Sequence, residues 1–396
     1  MNPLLFFNNE QINQPYDFTT LDITNGVAII RWDYSVHALQ SIVYCLVERQ
    51  SFFVGSSTWS SSFHEQFLSL INAHGCPNGA CLIATSGTAG APKLCVQPIT
   101  NLFLSAERAI SNLPMANDAE FVMALPPVAM GGLLTIVKAL SLHCPLHLCS
   151  GHWLTVLADL KCPSLAIVPQ QLPKLAQYLI NHPQQLHSLL IGGDELSIDY
   201  KKALSTIYCP KSVSYGATET AGQIMASPYV LDVSDSLSPL DGVSIDVTES
   251  DQLLIKAPTL ALGYLTSNGL TPLPFNSDDF FISNDVVELK PSFKVIGRID
   301  FQFKSGGQMV NPEMIEAAFK SSGLIQHMLV VPLKDEKLGM APIAYIKDLA
   351  IQEVLSKFAL EQLPIHLRPL TYCLLPEGFS FSDPWLRRKL LQHLNG

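Results

Sequence analysis

An α/β protein is predicted, with parallel sheet layers in a large N-terminal part, a small β-barrel-like subdomain and a separate α+β region at the C-terminus. Three observations carry this. Between residues 81 and 216, short runs rich in Val, Ile and Leu alternate with helical stretches, and strands that alternate with helices pair in parallel under helices on both faces. After Ser227 strand patterns follow one another with only turn residues between them, the pattern of an antiparallel or barrel-like subdomain. From about Asp300 the chain begins a strand–helix pattern of its own.

The strand runs of the first region are Cys81–Thr85, Phe121–Leu125, Pro145–Cys149, Ser164–Val168, Leu189–Ile191 and Lys211–Tyr215. Helical stretches begin near Thr100, Gly132, Trp153, Gln170 and Ser197, with Thr100 and Ser197 suited to N-cap positions. Phe121 to Val137 is the longest uncharged apolar segment. Pro126-Pro127 and Gly131-Gly132 interrupt it, so it reads as a buried strand, a loop and the start of a buried helix, and falls short of a membrane span. The later strands are Val243–Val247, Gln252–Lys256, Phe280–Ser283, Val286–Leu289 and Phe293–Ile296. In the last region Gly306-Gly307 makes a turn, Glu313–Lys320 a helix, Met328–Val331 and Ile343–Ile346 strands, and Trp385–Leu394 a final helix.

Composition narrows the function. Of 396 residues 48% are hydrophobic and 15% charged, against roughly 25% charged in an average soluble protein. That balance excludes a disordered chain and a coiled coil. A net charge of −10 argues against nucleic-acid binding through phosphate neutralisation. Nine cysteines scattered from Cys45 to Cys373 read as free thiols of a reducing cytoplasm. The one dense patch, His143 to Cys149, alternates like a packed strand, and a metal site there is the weaker reading. Residues 1–10 carry no basic run and too short an apolar stretch for a signal peptide. A soluble, cytoplasmic protein without a membrane span is expected.

Three stretches carry chemistry. Thr85-Ser86-Gly87-Thr88-Ala89-Gly90-Ala91-Pro92-Lys93 follows an apolar strand. Its hydroxyls, glycines and lysine can wrap a phosphate. It is not a Walker A loop, because Lys93 follows Pro92 and precedes Leu94. A solvent-exposed Gly/Ser/Thr turn is the bland alternative. Ser214-Tyr215-Gly216-Ala217-Thr218-Glu219 again leaves a strand, and the C-terminal edge of a parallel sheet is where ligands bind in open α/β folds. Glu219 suits Mg²⁺, Thr218 a phosphate oxygen and Tyr215 stacking on a base; a Tyr-Gly turn with a solvated Glu is equally compatible with this stretch alone. In the third, Asp285 and Arg298 stand on neighbouring strands where both could reach ribose hydroxyls, or form a partly exposed ion pair worth about 0–1 kcal/mol.

Together these stretches resemble, in kind and in order, the adenylate-forming superfamily of acyl-CoA synthetases and their relatives. The first is similar to its Thr-Ser-Gly-Thr-Thr-Gly-x-Pro-Lys signature with Ala89 in place of the second threonine, Tyr215 to Glu219 to its Tyr-Gly-x-Thr-Glu signature, and Gly297-Arg298-Ile299-Asp300 to the segment that enters its hinge. The resemblance runs from about residue 81 to about 350. Ile167 to Leu175, Leu190-Ile191-Gly192-Gly193 and Phe303 to Gln308 further resemble o-succinylbenzoate–CoA ligases. The resemblance implies ATP, Mg²⁺ and coenzyme A as cofactors. It also implies a small carboxylic acid as substrate, activated to an acyl-adenylate and passed to coenzyme A or a carrier-protein thiol. By the same resemblance Thr85, Ser86, Thr88 and Lys93, with Gly87 and Gly90 between them, meet the β,γ-phosphates; Lys93, Thr218 and Glu219 are the catalytic set; and Glu219 holds the metal. Gly193 and Tyr215, flanked by Gly192, Ser214 and Gly216, sandwich adenine, while Asp285 and Arg298 hold ribose. Residues 1–298 form the adenylation domain and 299–396 a mobile lid that rotates at Asp300, with Gly306 and Gly307 beside the pantetheine path. A homodimer stays open.

The departures matter. Only 84 residues precede the phosphate loop, against a much longer segment in the family, so the first domain is expected to be truncated. The usual histidine after Leu-Pro falls on Ala129, and the C-terminal lysine that contacts the carboxylate and α-phosphate falls on Pro384. Arg387, Arg388 and Lys389 are the nearest cations in sequence; otherwise they form a basic, water-exposed last helix. A nucleotide- or acyl-binding homologue with weakened turnover is the rival reading.

Overall fold

The structure is a computed structural model that describes all residues except 1–4, 9, 13–19, 87–91, 113–118, 150–151, 184–185, 195, 197, 233–235, 290–292, 307, 382, 384–385 and 396. It divides into two units, one of Met1–Thr85, Pro92–Ile245 and Ile255–Phe281, the other of Ser86–Ala91, Asp246–Leu254 and Ile282–Gly396.

The first unit is built on two sheets. A seven-stranded sheet runs Gly269–Pro272, Gly263–Thr266, Pro92–Pro98, Ala80–Ser86, Phe52–Ser56, Val27–Trp32, Asp22–Thr24. A nine-stranded sheet runs Ser238–Pro239, Gly222–Ala226, Lys211–Ala217, Ser188–Ile191, Pro163–Ile167, Glu120–Val122, Leu146–Leu148, Leu5–Phe7, Glu10–Gln11. Its six central strands, Lys211–Ala217 to Leu5–Phe7, are parallel.

Period-2 alternation explains how the layers stack. Ala28, Ile30, Trp32, Phe52, Val54, Cys81 and Ile83 point into one core with helices Val36–Val47, Ile99–Ser111 and Met130–Leu142, and Phe121, Leu146 and Leu148 enter that core from the nine-stranded sheet. Val27, Phe53, Ala80 and Leu82 turn the other way, onto Phe67 and Ile71 of helix Ser61–His74. The far side of the nine-stranded sheet, with Val122, Leu165, Ile167, Leu189 and Ile191, packs on Trp153, Val156, Leu172, Leu175 and Leu204. Helices therefore cover both faces of each sheet.

Several expectations are corrected here. The strand Ala80–Ser86 does not join the other runs of its region but lies in the seven-stranded sheet, beside strands from the first 80 residues. Runs buried on both faces look alike in sequence whichever sheet takes them. Helix Ile99–Ser111 starts after Pro98, which occupies the N-cap position without a side-chain bond; Thr100 lies inside the first turn. Ser197 lies outside the described residues. Phe280–Ser283 and Val286–Leu289 are one strand, Phe281–Glu288, with an irregular register between Val286 and Val287. The barrel-like subdomain is an open four-stranded sheet, Ser244–Val247, Gln252–Lys256, Phe281–Glu288, Lys294–Arg298. In the cysteine-rich patch, His147 is buried in the strand with its Nε2 3.4 Å from Glu120 Oε1 and its ring stacked on Phe6. The described residues hold no cluster of metal-ligating side chains.

One charge is buried in helix Met130–Leu142. Lys138 is 6% exposed, and burial draws its ammonium down from the ordinary 10.5 to about 8.

In the second unit, strands Met328–Asp335 and Gly339–Ile346 pair antiparallel and Thr371–Leu374 joins in parallel. Met328, Val330, Ala344 and Ile346 face helices Pro312–Ser321 and Gln352–Gln362, while Leu329, Val331, Ile343 and Tyr345 face Leu386 and Leu390 of the last helix. That helix is not simply water-exposed. Arg387 is buried against the carboxylates of Glu316 and Glu313, with Nη1 3.4 Å from Glu313 Oε1, and its guanidinium lies over the Phe301 ring at 4.7 Å.

No helix among the described residues is long and apolar enough to cross a membrane.

Candidate functional site

The C-terminal ends of three strands carry several of the residues singled out by sequence. Strand Ala80–Ser86 ends at Thr85 and Ser86, strand Ser188–Ile191 leads to Gly192 and Gly193, and strand Lys211–Ala217 leads through Tyr215 and Gly216 into a 3₁₀ turn, Thr218–Thr220. The last two strands are parallel neighbours. Two glycines here stand in close contact, and at Gly216 the facing main chain leaves no room for a side chain. A Cβ on Gly192 would stand 2.7 Å from Ser214 Oγ, and one on Gly216 would stand 2.1 Å from the Gly222 carbonyl oxygen. The second contact arises because strand Gly222–Ala226 folds straight back, with a register shift between Tyr215 and Gly216.

The turn at 218–220 is held from behind. Gln97, fully buried, donates its amide to the Thr218 carbonyl at 2.9 Å and the Thr259 carbonyl at 3.4 Å. Thr259 donates to the Thr220 carbonyl at 2.9 Å, Arg108 donates to Thr259 Oγ1 at 2.7 Å, and the Ala261 N–H donates to the Glu219 carbonyl at 2.8 Å. Both main-chain sides of Glu219 are thereby fixed.

Its side chain meets a residue that the sequence reading missed. Tyr264 donates its hydroxyl to Glu219 Oε1 at 2.6 Å, and Lys93 Nζ sits 3.5 Å above the centre of the same ring. The register accounts for this. Tyr264 is the cross-strand partner of Cys95, so Lys93, two residues earlier, is its diagonal neighbour on one face. Burial pushes the Cys95 thiol well up, and the nearby Glu219 carboxylate pushes it further. Lys93, Glu219 and Tyr264 thus form one cluster.

The donor set suits a metal-bound triphosphate. Mg²⁺ is ordinarily held by one or two carboxylates plus substrate phosphates rather than by an all-protein cage, and Glu219 is a single carboxylate with a lysine close by. Thr85 Oγ1 is buried and has no hydrogen-bond partner among the described residues; a buried hydroxyl so placed calls for a bound acceptor or donor. Gly87, Thr88 and Gly90 lie outside the described residues, and for Ser86 only the backbone is described.

In the second unit Asp285 and Arg298 are cross-strand partners joined at 2.8 Å, with side chains 12% and 36% exposed. The Arg298 main-chain N–H donates to Glu313 Oε2 at 2.6 Å. Burial raises the Glu313 carboxyl, against the pull of Arg387. Asp300 lies in the 3₁₀ turn Ile299–Phe301. Gly306 is exposed and its N–H donates to the Leu338 carbonyl at 3.0 Å; Gly307 lies outside the described residues. Among the cations near the C-terminus, Arg387 is committed to Glu313 and Glu316, and Lys389 Nζ lies 2.6 Å from Asp383 Oδ2. Pro384 lies outside the described residues.

The family profile described as AMP-binding enzyme matches residues 61–265, just over half of the 396 residues. A 2-succinylbenzoate–CoA ligase of Bacillus licheniformis is 27% identical over 339 residues, which cover 80% of this chain and 69% of the relative. Among solved structures, a variant of Escherichia coli MenE with bound OSB-AMS superposes with a TM-score of 0.77 at 20% identity, covering 99% of this chain and 95% of that one. The Bacillus subtilis o-succinylbenzoate coenzyme A synthetase in complex with ATP and magnesium gives 0.72 at 17% identity, covering 100% and 97%. At these identities the structural likeness establishes the fold.

Proposed function

Since the chain belongs to the AMP-binding enzyme family, we propose that it is an AMP-forming acid–thiol ligase that activates a carboxylic acid as an acyl-adenylate and then passes the acyl group to coenzyme A. The observation that carries this is the convergence of Lys93, at the start of strand Pro92–Pro98, and Glu219, in the turn after strand Lys211–Ala217, one side chain apart across Tyr264. The 2-succinylbenzoate–CoA ligase similarity supports o-succinylbenzoate as the acid.

In this reading the acid's carboxylate attacks the ATP α-phosphorus and pyrophosphate leaves. The attacking oxygen is already anionic, so the protein's work is alignment and charge neutralisation. Thr85, Ser86, Thr88 and Lys93 hold the β,γ-phosphates, and Thr218 the α-phosphate. Glu219 holds Mg²⁺, which when bound neutralises charge on the phosphate oxygens. Gly193 and Tyr215 flank adenine. Asp285 and Arg298, already paired with each other, present their outer atoms to ribose. The thiol then displaces AMP after residues 299–396 rotate at Asp300 relative to 1–298, with pantetheine passing Gly306 and Gly307.

The test is ATP–pyrophosphate exchange with o-succinylbenzoate and a panel of aromatic and aliphatic acids, followed by thioester formation with coenzyme A. Exchange that depends on one acid, and is lost in Lys93→Ala and Glu219→Gln, supports the reading. Absence of exchange with every acid, alongside retained AMP binding, favours a binding homologue instead. A specific observation gives that second reading weight: Arg387 and Lys389 are engaged by carboxylates of the second unit.

A further inference from the structure

We propose that Tyr264 is a positioning residue for the metal–triphosphate end of this site, holding Glu219 by its hydroxyl and Lys93 by its ring face. The proposal rests on the reading above, in which Lys93 meets phosphate and Glu219 meets Mg²⁺, and it adds a residue that neither signature loop contains.

Three features of the geometry support it. The hydroxyl-to-carboxylate distance of 2.6 Å is that of a hydrogen bond to an ionised acceptor. It fixes one oxygen of Glu219 in a known direction and leaves the other oxygen for a cation. An ammonium 3.5 Å above the ring centre sits in the negative face of the aromatic quadrupole. Finally, both partners depend on one strand register, because Tyr264 lies opposite Cys95 and the Glu219 carbonyl is held by Ala261, three residues before it. A single rigid ring therefore sets the direction of the anion and the resting place of the cation. The two functions sit on different parts of the side chain and can be removed separately. Tyr264→Phe deletes the hydroxyl and keeps the ring face, whereas Tyr264→Leu deletes both.

The experiment measures equilibrium binding of ATP to the purified full chain by calorimetry, in EDTA and across a Mg²⁺ titration, with AMP as a ligand that reaches neither Lys93 nor the metal. Wild type, Tyr264→Phe, Tyr264→Leu, Lys93→Ala and Glu219→Gln are compared. Tyr264→Phe is expected to raise the Mg²⁺ concentration needed for half-maximal tightening of ATP by about tenfold. Its affinities for ATP in EDTA and for AMP are expected to stay unchanged. Tyr264→Leu is expected to show the same Mg²⁺ shift and also to weaken ATP in EDTA, again sparing AMP. A Mg²⁺ midpoint in Tyr264→Phe equal to wild type overturns the proposal, as does equal weakening of ATP with and without Mg²⁺. Should Tyr264→Leu fail to fold, Tyr264→Phe decides alone. If Glu219→Gln leaves the Mg²⁺ midpoint unmoved, the metal reading itself falls and the Tyr264 assignment falls with it. A shift in Glu219→Gln without one in Tyr264→Phe removes only Tyr264.

Discussion

Replacing Lys138 by methionine isolates the free energy of one buried charge. The residue is 6% exposed, and burial is the cause of its lowered affinity for a proton. With the ammonium drawn from 10.5 to about 8, and about 1.4 kcal/mol for each pH unit between the two values, the charge costs the folded chain about 3 kcal/mol at pH 7. The folded chain binds this proton less firmly than the unfolded chain. The penalty is therefore fully present below pH 8 and fades as pH rises from 8 towards 10.5. Methionine keeps the unbranched stem and removes the charge. Lys138→Met should stabilise the first unit by about 3 kcal/mol at pH 7, about 2 at pH 9 and under about 1 at pH 10. With a urea dependence of about 3 kcal/mol per molar, the midpoint at pH 7 should rise by about 1 M. The assay is urea-dependent hydrogen exchange in helix Met130–Leu142, run on variant and wild type at each pH so that other titrating groups cancel. An equal gain at pH 7 and pH 10 would mean that packing rather than charge is responsible. No gain at pH 7 would mean that the ammonium is solvated.

Arg387→Met leaves Glu313 and Glu316 buried without their cation and should destabilise the second unit by about 3–5 kcal/mol. That loss should shrink as pH falls, because burial already raises the Glu313 carboxyl and without Arg387 it takes up a proton more readily, which acid-to-neutral denaturation series would reveal. Lys389→Ala breaks a half-exposed pair with Asp383 and should change stability by only about 0–1 kcal/mol, with no effect on the adenylation rate in single-turnover experiments. On the proposed adenylation step, Pro384→Lys, at the position that aligns with the family's C-terminal lysine, should raise the rate by about 10²–10³. Gly216→Ala drives a methyl into the Gly222 carbonyl and should cost about 1–3 kcal/mol, seen as a lower urea midpoint.

The sequence was most informative where chemistry needs unusual residue combinations. Hydroxyls, glycines and a lysine after one strand, and Tyr-Gly-x-Thr-Glu after another, marked Lys93 and Glu219 because few structural roles require such sets together. Tyr264 left no comparable trace. It lies in a short alternating strand, Gly263–Thr266, and its value comes from register: it is 45 residues from Glu219 in sequence and meets Lys93 only across a ladder. Gln97 is similar, an amide whose N–H groups donate to main-chain carbonyls at 218 and 259. Sheet membership was illegible for the same kind of reason. The run at Ala80–Ser86 is apolar on both faces, and nothing local tells it which parallel neighbours to choose. Strand count after Ser227 likewise did not distinguish an open sheet from a closed one, since closure depends on how the first and last strands meet.

The hairpin Gly263–Thr266 and Gly269–Pro272 completes a sheet whose other members end at Pro98. During synthesis from the N-terminus, the edge of strand Pro92–Pro98 waits unpaired while more than 160 further residues are made. Such a long-range pairing is slow, and an open edge in the interval is a route to association between nascent chains. The same late segment brings Tyr264. Chains halted before residue 264 would therefore carry Lys93 and Glu219 without the ring that joins them, so this cluster can close only after most of the first unit has been synthesised.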